Sequence, residues 1–169
     1  MSHAKNKIKW CLDKAEKELK EGDKHRGLIK IKSDSEKARK HISKSEHFLK
    51  ATIYLNNGKF SDICTNTLFY AIYHCLLAIA VKFGYESRNQ ECTFALIYNL
   101  IEEKKIDFDK ELLNEISSLS PKETSEKSSI EIREWYQYET DLSLKDKEIY
   151  NELFNLAKKV IDKTKDIIG

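Results

Sequence analysis

From Thr67 to Phe83 the chain reads TLFYAIYHCLLAIAVKF, seventeen mostly apolar residues that stop at Gly84. A helix that is apolar on every side must either form the centre of a helical core or cross a membrane. Tyr70, Tyr73 and His74 place polar ring atoms in the first half of this run. Whatever surrounds it must satisfy them. A membrane span needs about twenty apolar residues. This run is shorter, contains His74 and Lys82, and has no second candidate beside it. The expectation is a buried core helix and no membrane partner.

Helical spacing separates the faces of that run. Phe69, Ile72, Leu76, Ala80 and Phe83 make a bulky face. Cys64, Leu68, Ala71, Cys75 and Ala78 make a narrower one, which permits a second helix to come close. Tyr70, Tyr73, His74 and Leu77 make the third, and only this face carries polar tips.

The rest of the chain reads as helices that could enclose such a core. A chain of 169 residues with 40% hydrophobic and 34% charged residues suits one helix-rich domain. One proline and five glycines leave few interruptions. Lys7 to Glu21 is a lysine- and glutamate-rich helical pattern closed by Gly22, and residues 23–32 form a basic connector. Ser33 with Glu36 gives a capping-box signature for a helix over 33–56, with Ala38, Ile42, Leu49 and Ile53 on one stripe. Asn56-Asn57-Gly58 suits a left-handed helix end.

The core helix then covers 61–83, and Gly84 to Gln90 is a polar turn. Further helices are expected over 91–104 and, more briefly, from Asp109. Residues 117–129 are a polar, mobile loop by composition. A helix from Ser129 breaks near Thr140-Asp141, and Ser143 with Asp146 caps a last helix over 145–168. The expected fold is an all-α, up-and-down bundle of four to five core helices with an extra N-terminal helix. Residues 1–32 form the basic helix and connector, and residues 33–169 form the bundle domain.

Charge and cysteines bound the function. Residues 1–50 carry a formal charge of +7 and the remainder −5. Such a split marks either a solvated lysine-rich face or a basic surface for a polyanion. Cys11, Cys64, Cys75 and Cys92 show no CxxC pair and no zinc-ligand spacing. Reduced thiols in a cytoplasmic protein are expected, with no signal peptide in the apolar-poor stretch Met1–Leu12. No metal site is expected, because none of the five histidines has a glutamate three residues before it. GxGxxG, Walker-type GK[ST] and GxSxG motifs are absent, so no cofactor is implied.

One segment stands apart: Arg133-Glu134-Trp135-Tyr136-Gln137-Tyr138, an arginine in a highly aromatic stretch. Taken alone it is either an ion pair among core aromatics or a phosphate-binding group.

The order of features resembles the HEPN domain (higher eukaryotes and prokaryotes nucleotide-binding), in its small stand-alone prokaryotic members. The shared features run over residues 33–168. They are the helix and glycine turn SEKARKHISKSEHFLKATIYLNNGKFSD, the core Tyr70-Ala71-Ile72-Tyr73-His74, the turn Gly84-Tyr85 with Arg88, and Arg133-Glu134 followed by Tyr138. The resemblance implies a homodimeric, metal-independent endoribonuclease of toxin or defence type. In it an arginine holds the phosphate and a histidine moves the proton of the neighbouring 2′-hydroxyl. Arg133 and Tyr138 would be the catalytic pair, with Glu134 orienting the arginine and Tyr136, Tyr70, His74 and Arg88 as binding residues.

Tyr138 stands where the family's histidine is expected. A phenol with a pKa of about 10 is a poor general base at neutral pH. Catalysis is therefore open, while RNA or nucleotide binding is expected. Arg133 and Tyr138, five positions apart, do not share a face of one straight helix. They act together only across a helix break or between two subunits. The resemblance also implies a nucleotidyltransferase-type antitoxin, with Tyr136 and Tyr138 as possible acceptors of its modification. The competing expectation is a catalytically inactive module that pairs with such a partner.

Overall fold

The computed structural model of the chain describes residues 2–119, 140 and 147–169. Six helices and one two-stranded sheet are formed by these residues, in the order α1 (His3–Lys20), β1 (Leu28–Lys30), α2 (Ser35–Asn57), α3 (Ser61–Lys82), β2 (Tyr85–Ser87), α4 (Gln90–Glu102), α5 (Lys110–Ser118) and α6 (Lys147–Ile168). The fold is an all-α helical bundle. The expected helix from Ser129, residues 120–129 of the expected loop and the Ser143–Asp146 cap lie outside the described residues, while Ser117 and Ser118, expected in that loop, complete the last turn of α5.

The apolar run is the bundle's spine. α3 packs against α2, α4, α6 and β2, and Leu68, Ile72, Leu76 and Ile79 are sealed from solvent. It is one helix long and apolar enough to cross a membrane, but 61% of that window is buried inside the protein. Each fully buried leucine or isoleucine stabilises the fold by about 1.5–3 kcal/mol.

The narrow face does what small residues permit. Ser45 on α2 donates from Oγ to the Ala71 carbonyl at 2.5 Å and lies 3.2 Å from the Cys75 sulfur. About two turns further along α2, the Thr52 and Thr67 hydroxyls meet at 2.6 Å. These side-chain bonds bridge two backbones too close for larger groups. They also set the register of the antiparallel α2–α3 hairpin.

Helix ends differ from the capping pattern in detail. Asp34, not Ser33, caps α2, and its Oδ1 accepts from the Lys37 amide at 2.8 Å. Ser33 instead donates to the Lys82 carbonyl at 2.6 Å and satisfies the end of α3. Gly58 is not left-handed (φ −78°); Lys59 takes that conformation, with φ 66°. α1 begins at His3, four residues earlier than its apolar periodicity suggests, because Ser2 accepts from the Lys5 amide.

The connector and the polar turn hold strands that the sequence pattern does not show. β1 and β2 pair antiparallel, with Leu28 opposite Ser87 and Ile29 opposite Glu86. Three residues are too few for a period of two to declare itself. Gly84, at φ +82°, turns the chain out of α3 and into β2.

The cysteines also depart from expectation. Cys11 on α1 is bonded to Cys92 on α4, across 81 residues with Cα atoms 5.9 Å apart, so these two are not reduced thiols. Spacing along the chain could not reveal the pair, because α1 meets α4 only in the packed fold. Lys7–Glu91 at 2.6 Å and Lys5–Glu103 at 3.2 Å tie the same two helices. Beside the bridge, Gly27 leaves no room for a side chain, since a Cβ there would lie 2.4 Å from the Cys11 carbonyl oxygen. Cys64 and Cys75 remain free and buried, and burial pushes both thiols up to about 11. Titration of the denatured chain should find these two thiols before reduction, and all four cysteines after it.

Candidate functional site

Of the residues singled out in the sequence, Arg133, Glu134, Tyr136 and Tyr138 lie outside the described residues. Tyr70, His74 and Arg88 are described: the first two lie on one strip along the α2–α3 hairpin, and Arg88 reaches the polar end of that strip only through Glu86 of β2.

His74 marks its middle. The register set by Ser45 and Thr52 brings His41 of α2 opposite it, and the two Nδ1 atoms lie 3.0 Å apart. The ring centroids are 5.3 Å apart, close to that distance plus two ring radii, so the nitrogens meet head-on. One Nδ1 must donate and the other accept. The donor ring then carries a basic Nε2, and the acceptor ring carries Nε2–H.

Phe48 of α2 stacks on both His74 (centroids 5.6 Å apart, planes at 22°) and Tyr70 (5.7 Å, 26°). Lys44 lies over the Phe48 ring, with Nζ 5.3 Å from its centroid. Tyr70 itself is 40% exposed, so the stack ends in an open aromatic ring.

The other end of the strip is polar. Glu86 on β2 meets Lys37 at 3.1 Å, His25 at 3.2 Å and Arg88 at 3.2 Å. Burial alone would raise its pKa. Hydrogen bonds from Lys37 and His25, with the charges of Lys37 and Arg88, outweigh that and hold it at about 2. Arg88, expected as a phosphate contact, thus rests on Glu86 with half of its side chain exposed. Lys37, Lys44 and Arg88 together outnumber the single carboxylate.

The same surroundings keep the histidines neutral. Burial, then the neighbouring His74 and Lys37, push His41 down to about 4, against a smaller opposing pull from Glu86. Burial and Lys44 also lower His74.

Tyr73 does not belong with them, although spacing grouped it on the same face. Its ring stacks on Phe69 (centroids 5.9 Å apart, 9°) and its hydroxyl meets Thr93 of α4 at 2.9 Å. The third face is wide enough for one edge to turn inward.

Sequence reasoning missed His41, Phe48, Lys37, Lys44 and Glu86. A signal was present on α2, where Lys37, His41, Lys44 and Phe48 follow at steps of four, three and four beside the apolar stripe. Helical spacing places such residues on one face. Nothing in the sequence set the register that matches this face to His74.

Elsewhere the surface offers less. A concavity of 690 Å³ lies between the α4–α5 connection and the end of α6, lined by Lys105, Lys159, Lys163, Asp107, Asp162 and Asp166. Its charges balance, so it selects no ion of either sign. Among the described residues no three His, Cys, Asp or Glu side chains gather as metal ligands. The known protein families and curated proteins offer no match to this chain by comparison of sequence.

A neutral histidine pair makes stability depend on pH. Both folded pKa values lie below that of a free histidine, about 6.5, so the unfolded chain binds more protons between the two values. Stability therefore falls as pH drops from 6.5 towards about 4, the value for His41. Glu86 adds a loss in the same direction, but mainly between its unfolded value and about 2. Melting temperature should thus decline between pH 6.5 and 5, and a His41→Asn/His74→Asn double variant should flatten that decline.

Proposed function

We propose that this chain is a HEPN-like protein that binds RNA or a nucleotide along α2 and α3 and, as a homodimer, cuts RNA without a metal. The observation that carries this reading is the half-open stack of Tyr70, Phe48 and His74, flanked by Lys37, Lys44 and Arg88. Aromatic rings accept any base by stacking, worth about 1–3 kcal/mol per base. Nearby ammonium and guanidinium groups neutralise the phosphates that link those bases. Arg133 would clamp the scissile phosphate bidentately, with Glu134 orienting it. Tyr136 and Tyr138 would stack on a base or donate to a phosphate oxygen.

The activity is of toxin or defence type, and its setting is the cytoplasm. Disulfides are rare there. The Cys11–Cys92 bridge meets that setting fully buried, beyond direct reach of soluble reductants.

One observation favours the second reading, an inactive module paired with a nucleotidyltransferase-type partner. Ile53, Tyr54, Phe60 and Ile63 are all exposed on the tip of the same hairpin. That apolar group suits a protein surface better than a polyanion.

Single-stranded RNA incubated with purified protein in EDTA separates the two. Cleavage that persists without metal and falls at least about 100-fold in Arg133→Ala supports the ribonuclease. Intact RNA, together with capture of the partner, supports the module. A monomeric mass at micromolar concentration would remove the homodimer from either reading.

A further inference from the structure

We infer that His74 is the general base of this site, taking the 2′-hydroxyl proton of a bound RNA, and that His41 is its positioning residue. The inference rests on the RNA-binding reading above and names catalytic groups on α2 and α3, where the resemblance supplies only Arg133 and Tyr138. It answers the difficulty that Tyr138 leaves: a phenol is a poor base near neutral pH.

Three features of the pair support it. The head-on Nδ1 contact fixes both imidazoles relative to the helices, and Phe48 stacked on His74 holds that ring's plane. Both rings are half-buried, so the pair sits at the edge of the packed core rather than inside it. His74 shares the Phe48 face with the open Tyr70 ring and feels the charge of Lys44, where base and phosphate would sit, whereas the charges acting on His41 are those of Lys37 and Glu86. His74 is therefore the ring that meets substrate.

The chemistry balances with water as the only added reactant. With His41 Nδ1 accepting from His74 Nδ1–H, the lone pair lies on His74 Nε2, which takes the 2′-hydroxyl proton. The freed 2′ oxygen bonds to the adjacent phosphorus as the bond from phosphorus to the 5′ oxygen breaks. The 5′ oxygen leaves with a proton from water, and the hydroxide so formed takes the proton back from His74. The products are a 2′,3′-cyclic phosphate and a 5′-hydroxyl. During the step His41 Nδ1 stabilises the imidazolium through the same hydrogen bond, as an orienting partner does for a catalytic histidine.

The test uses the full chain, a short mixed-sequence single-stranded RNA, and separate readings of affinity and cleavage. In His74→Asn the amide reaches only the Nδ1 position, so the bond to His41 survives while the base is gone. At saturating RNA, cleavage should fall at least about 100-fold, beyond whatever affinity is lost with the His74 ring from the stack. His74→Gln, whose amide fills the Nε2 end instead, serves if the first variant does not fold. His41→Leu should also lower cleavage. His41→Asn, which returns an oxygen acceptor to the Nδ1 position, should restore most of it; a packing role alone would show no such rescue. A His74→Asn protein that cuts like the wild type, or a wild type that binds RNA and leaves it whole, overturns the inference but not the binding. Loss of RNA binding in the wild type removes the underlying reading itself.

Discussion

The close approach of α2 to α3 is the contact on which the rest depends. Ser45 against the Ala71 carbonyl and Thr52 against Thr67 let two backbones pack with almost nothing between them. Larger side chains at these positions would push the helices apart, since a packed interior yields little to added volume. Because the two contacts lie on one stripe of α2, they define a single antiparallel register. That register alone sets His41 opposite His74 and Phe48 between His74 and Tyr70. The buried seam and the exposed strip are therefore two sides of one packing decision.

Electrostatics then give the strip its character. Lys37 is shared between two tasks: it holds the Glu86 carboxylate and disfavours a proton on His41. Lys44 does the same to His74 while covering the Phe48 ring. Burial, helped by these cations, keeps the imidazoles neutral and leaves positive charge available at the surface. A polyanion laid along the strip would relieve the repulsion among these cations. It would also favour protonation of the histidines, which couples phosphate binding to proton uptake.

Much of the fold was legible because its signals are long. The apolar run of α3 and the stripes of α2, α4 and α6 extend over three or more turns, so their periodicity outweighs local noise. The narrow face of Cys64, Ala71 and Cys75 even announced close helix packing. The short elements were not legible: β1 and β2 have three residues each, and their pairing joins segments more than fifty residues apart. The Cys11–Cys92 bridge was hidden for the same reason. Within the site, Tyr70 and His74 could be found because one helix displays both. His41 and Glu86 could not, since their place beside His74 is a property of tertiary register and of a sheet the pattern did not show.

The most direct measurement is a magnetic-resonance titration of the side chains with a short single-stranded RNA. Binding along the hairpin predicts the largest shifts at the His74 imidazole and the Tyr70 and Phe48 rings, with a smaller response at His41. The chain also offers an alternative: Trp10 on α1 is 49% exposed, with the ammonium groups of Lys7 and Lys14 lying 4.4 and 5.1 Å from its ring. Shifts confined to Trp10 and its lysines, with His74 and Tyr70 unmoved, would contradict the account.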